Sequence, residues 1–160
     1  MFTVMIIVCC IASGVWLIRE DGIGPAQIGM SLIELNTALN EKFSTPKDKD
    51  DQGCFYVQPA KHPHVSFMVE DGRLARVDVD APGMATKEGI QVGDTEAHAL
   101  KVYGAKLKIE PHHYTGPEGH YLTVRSDSGR YGIRFETDGA KIVNFYAGSF
   151  QAIQYVEGCL

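Results

Sequence analysis

Apolar and polar residues alternate at every second position in two passages of the chain that share one plan. Val65-Ser66-Phe67-Met68-Val69 runs through Glu70-Asp71-Gly72-Arg73 into Leu74-Ala75-Arg76-Val77-Asp78-Val79. Tyr131-Gly132-Ile133-Arg134-Phe135 runs through Glu136-Thr137-Asp138-Gly139-Ala140 into Lys141-Ile142-Val143-Asn144-Phe145-Tyr146. Alternation interrupted by an Asp-Gly turn predicts a β-hairpin in each passage. Further strands are predicted over Phe55 to Val57, Leu107 to Glu110, Tyr121 to Arg125 and Ala152 to Val156.

A different period precedes each hairpin. Ile28, Leu32, Leu35 and Leu39 follow the three-and-four spacing of a helix with one buried face, and Ser31 with Glu34 fits a capping box at its start. Sixty-four positions after Gly29, the passage Val92-Gly93-Asp94-Thr95 opens a second helix. Asp94 or Thr95 can cap it, Ala99, Val102 and Tyr103 supply its apolar face, and Gly104 ends it. The order helix, then hairpin, is therefore written twice, which predicts an α+β fold of two tandem helix-plus-hairpin repeats. The expected architecture is one continuous antiparallel sheet with helices on one face and the other face wet. The expected division is 20–80 for the first repeat, 81–91 for the joint and 92–160 for the second.

Residues 1–19 differ from the rest. No charged side chain precedes Arg19, and Val4 to Val8 form an apolar run that leads into Cys9, Cys10 and the small residues Ala12, Ser13 and Gly14. That pattern predicts an export signal or a short N-terminal anchor. Two cysteines remain beyond it, Cys54 and Cys159, and an oxidising compartment permits a bridge between them. Localisation in the periplasm or cell envelope is the expectation. Twenty acidic side chains outnumber fifteen basic ones, for a net charge of -5, and no basic run is long enough to follow a phosphate backbone, so nucleic acid is not an expected partner.

The repeated passages Ile28-Gly29-Met30-Ser31 with Glu34 and Leu35, and Val92-Gly93-Asp94-Thr95 with Ala99, resemble the tandem α/β repeat of the beta-lactamase inhibitor protein fold. Its units are in turn similar to the small outer-membrane assembly lipoproteins of Gram-negative bacteria. The resemblance spans about Gly22 to Val156. It implies an exported protein that presents a surface to another macromolecule, either inhibiting an enzyme or holding an envelope complex.

Candidate chemistry is sparse. His112, His120 and Glu118 are the one metal-ligand set the spacing offers, and a small metal-dependent hydrolase is the enzymatic alternative. Ser126, Ser128 and Ser149 lack a glycine-flanked elbow, and the glycines form no phosphate-cradling run. No enzyme activity and no cofactor are expected. The favoured reading is a protein-binding domain of the inhibitor or immunity type, with an envelope structural or assembly protein as the alternative; a homodimer is also compatible. On the hairpins, Val143 and Phe145 are expected to face the core and Ile142 and Tyr146 the other side. Met68, Tyr146 and Arg134, with the loop residues Tyr114 and Phe150, are the predicted exposed interface anchors.

Overall fold

The computed structural model describes residues 16–47 and 53–159. The apolar N-terminal run, Cys9 and Cys10, and the charged centre of the Lys42 to Gly53 loop lie outside the described residues. Among the described residues no helix is long and apolar enough to cross a membrane.

The expected single continuous sheet is not what forms. The chain builds two separate antiparallel sheets and separate helices. A three-stranded sheet of β1 (Ile18–Arg19), β2 (Gly22–Ile23) and β3 (Ala26–Gln27) comes first. A seven-stranded sheet follows, made of β4 (Cys54–Val57), β5 (Val65–Glu70), β6 (Arg73–Val79), β7 (Leu107–Pro111), β8 (His120–Arg125), β9 (Tyr131–Thr137) and β10 (Ile142–Ser149). Its order is β4-β5-β6-β10-β9-β8-β7, with every neighbouring pair antiparallel. The small sheet has strands of two residues, too short to show an alternation. It closes because Gly22 brings its backbone so near the Ala26 carbonyl that an added Cβ would stand 2.1 Å from that oxygen. Ile18, Ile23 and Ala26 then enter the core fully buried. Residues 16–19, at the end of the predicted N-terminal segment, belong to this body, and the Trp16 ring stacks on His62 with centroids 4.1 Å apart.

Both helices start by the same device. In α1 (Leu32–Leu39) the Ser31 hydroxyl accepts from the Glu34 amide while the Glu34 carboxylate accepts from the Ser31 amide at 2.8 Å. These bonds hold the Glu34 carboxyl below the usual carboxylate range. In α2 (Glu96–Tyr103) Thr95 is the cap, accepting from the His98 amide, and Asp94 instead accepts from the Gln91 amide. Each helix entry also docks on the second strand of its hairpin through two backbone bonds. Gly29 N–H donates to Leu74 and Leu74 N–H to Met30; Gly93 N–H donates to Ile142 and Ile142 N–H to Asp94. Ser31→Ala is expected to lower stability by about 1 kcal/mol, read as a lower denaturant midpoint with unchanged slope.

The hairpins carry matching irregularities. Met68 pairs with Arg76 and Val69 with Leu74, which leaves Ala75 as an extra residue; Ile142 pairs with Thr137 and Asn144 with Glu136, which leaves Val143 extra. Each is a β-bulge near the start of the second strand. The bulges change which residues share a face. Leu74 and Val77, three apart, both enter the core with Leu35, Ala99, Phe67 and Phe135, and so do Ile142 and Phe145. Simple alternation put Val143 inside and Ile142 outside; with the bulge, Ile142 is buried and Val143 is exposed. The segment predicted as a final strand forms a 3-10 turn over Ala152–Gln154 instead.

Candidate functional site

The second face of the large sheet is the part that carries polar chemistry. One cross-strand row on it reads Ser66, Asp78, Tyr146, Arg134, Thr123 and Lys108, from β5 to β7. The next row reads Asn144, Glu136, Tyr121 and Glu110, and the row on the other side reads Met68, Arg76, Gly148, Gly132 and Arg125.

Part of this face is covered by the C-terminal segment. Gly132 and Gly148 stand opposite each other; a Cβ on Gly132 would come within 2.7 Å of the Ile153 side chain, so Gly132 leaves the space on which the 3-10 turn lies, whereas a Cβ on Gly148 would meet the β6 backbone at Ala75. The expected bridge between Cys54 and Cys159 forms, with an S–S distance of 2.02 Å, and holds the end of the segment against β4. Tyr155 donates its hydroxyl hydrogen bond to Glu70. Met68 and Ala75 are buried beneath Ala152, Tyr155 and the bridge.

Arg76 is the centre of what remains. Its Nε and Nη2 grip Asp78 at 2.7 and 2.8 Å, its Nη1 donates to the carbonyls of Ala152 and Tyr155, and its Nη2 also donates to the Tyr56 hydroxyl at 2.8 Å. The guanidinium lies over the Tyr146 ring, 4.3 Å from its centroid. Burial pushes the Asp78 carboxyl up, and the hydrogen bonds from Arg76 oppose it. Glu136 is the second centre, accepting from the Tyr146 hydroxyl at 2.9 Å and the Asn144 amide at 3.0 Å, with the His112 ring nitrogen 3.3 Å away. Between the two lies an open cleft of about 470 Å³, lined by Tyr56, Asp78, Glu136, Asn144, Tyr146 and Glu157 among others. The Tyr114 hydroxyl hydrogen-bonds Glu157, joining the 112–119 loop to the C-terminal segment.

Three of the predicted anchors are therefore not exposed. Met68 is buried because the C-terminal segment lies on it. Tyr146 is buried between the Arg76 guanidinium and Glu136, although it still contributes to the cleft wall. Arg134 is buried with its guanidinium over the Tyr121 ring, donating to Thr123 and Gln154. Tyr114 is exposed, and Phe150 is half-buried with the Arg125 guanidinium 4.0 Å from its ring centroid. The histidines do not converge. His112 meets Glu136, His120 meets Glu96 at 2.8 Å, and Glu118 is exposed; among the described residues no three His, Cys, Asp or Glu side chains are grouped to hold a metal.

The residues that sequence reasoning passed over are Tyr56, Arg76, Asp78, Glu136 and Asn144 as a set. The signal was present: Arg76-Val77-Asp78 and Arg134-Phe135-Glu136 each place an arginine and an acid on one strand face.

Three phenols, Tyr56 and Tyr146 at the site and Tyr103 apart from it, give the protein a pH signature. Burial, then the Asp78 charge, pushes Tyr56 up to about 12; burial, then Glu136, raises Tyr146; and burial raises Tyr103, beside Glu88. A raised phenol keeps its proton when folded at a pH where the unfolded chain has lost it. Its stabilising contribution is complete below the unfolded value of about 10 and falls as pH rises above that. An alkaline titration followed by phenolate absorbance is expected to show a group of tyrosines that ionises only as the fold melts.

Compared with family models, with curated proteins and with solved structures, the chain matches none of them.

Proposed function

We propose that this is an exported, non-enzymatic protein-binding domain of the inhibitor or immunity type, and that its contact surface is centred on the open part of the second sheet face. The observation that carries the reading is the cleft itself. Tyr56, a side chain of the kind that dominates interface energetics, is exposed on its wall and is already fixed by the hydrogen bond it accepts from Arg76 before any partner arrives. Preorganisation of this kind reduces the ordering cost of association. Exposed Tyr114 on the neighbouring loop extends the surface beyond the cleft.

Export is supported by the Cys54–Cys159 bridge, since such bonds persist in oxidising compartments and are rare in the cytosol. The likeness of the two helix-entry passages to the inhibitor-protein repeat supports the same reading, with the periplasm or envelope as its place. The test is affinity capture by the full chain, purified oxidised, from a periplasmic extract. A stoichiometric protein partner whose binding is weakened by Tyr56→Ala or Tyr114→Ala is the expected result. Capture of no protein, or binding indifferent to both substitutions, would overturn the placement.

A further inference from the structure

We propose that the cleft accepts a basic side chain, arginine or lysine, as the anchor of the partner; this rests on the reading that the face meets a protein. The argument is one of charge left over. Asp78 is matched by Arg76, and the Arg76 guanidinium is fully engaged: Nε and Nη2 hold the carboxylate and Tyr56, and Nη1 holds two backbone carbonyls. It has nothing left to offer an anion.

Three further carboxylates line the same cleft, Asp80, Glu136 and Glu157. Among the described residues no lysine or arginine pairs with any of them. Asp80 has His64 at 3.0 Å, Glu136 has His112 at 3.3 Å, and Glu157 has the Tyr114 hydroxyl. The Glu136 side chain is only 16% exposed, so an incoming cation would meet a carboxylate already removed from most of its water. Pairing there is worth more than an exposed surface pair. The carboxylates are spread around the cleft and form no metal-holding group, an arrangement that suits an extended guanidinium or ammonium on its stem better than a bare ion. Val156 and the ring of Tyr56, both in the lining and exposed, offer apolar surface for the methylene stem.

The experiment is an amide NMR titration of the full oxidised chain with N-acetylargininamide, and with N-acetylcitrullinamide as its neutral near-isostere. Saturable shifts centred on Asp78, Asn144 and Glu157 are expected, with the arginine probe binding about tenfold more tightly than the neutral one, a difference of about 1.4 kcal/mol. Glu136→Gln is expected to abolish that preference. Because Glu136 is a structural hub, the double variant Asp80→Asn with Glu157→Gln provides a second reading at the rim, where a reduced preference is again expected. Equal shifts with the two probes, or a preference unchanged in both variants, overturns the proposal. A captured protein partner that binds wild type and both variants equally overturns the basic anchor and leaves the protein-binding reading standing. Charge-selective argininamide binding without any captured protein supports the chemistry of the cleft and overturns that reading.

Discussion

Replacing Arg76 with leucine is expected to destabilise the protein by about 3–5 kcal/mol, the range for removing one member of a buried ion pair. Arg76 is almost wholly enclosed, and its loss removes both hydrogen bonds to Asp78 together with the donors to Ala152, Tyr155 and Tyr56. Much of the penalty arises from Asp78, left charged and half-buried without its partner. Adding Asp78→Leu is therefore expected to recover part of the loss, and equilibrium unfolding of the two single variants and the double one measures that coupling. A double variant no more stable than Arg76→Leu alone would assign the loss to the carbonyls of the C-terminal segment instead.

The second large effect belongs to the bridge. Cys54→Ser with Cys159→Ser opens a loop of 105 residues, and the chain-entropy model assigns a closure of that length about 4.7 kcal/mol. Native disulfides more often contribute about 2–5 kcal/mol, which for a chain of this size corresponds to a melting temperature lower by roughly 5–15 °C. Calorimetry of the oxidised wild type against the double serine variant checks the value. Hydrogen exchange adds a local test: protection at Met68 and Ala75, which the C-terminal segment covers, is expected to fall more than protection at Phe135 on the core face. A uniform fall would mean that the bridge acts on the unfolded chain alone.

What could be read from the sequence was what neighbouring residues decide among themselves. The Ser31–Glu34 box, the Thr95 cap and the two Asp-Gly hairpins depend on positions a few residues apart, and each formed. The Cys54–Cys159 pairing followed from there being one pair of cysteines past the leader-like run. The small first sheet was missed because two-residue strands carry no period. The faces of Ile142 and Val143 depend on a bulge that shifts the count by one residue, which alternation cannot anticipate. Met68 and Arg134 were placed in solvent because their cover comes from residues 152–159, far away in sequence, and only the folded path brings it there. The candidate cleft was hidden for the same reason. Its members come from β4, β5, β6, β9, β10 and the segment after β10, and no local pattern connects them.

Gly132 and the turn that lies on it bear on the order in which the molecule can be completed during synthesis. The ribosome releases β4, β5 and β6 long before the segment that will cover Met68 and hold Arg76, and β6 has its second neighbour only once β10 has emerged. Until then the first hairpin has a free edge at β6, and Arg76 lacks the two carbonyls that engage its Nη1. The early half is thus left waiting for the late one, and the chain in that interval is the form that most needs protection from other chains.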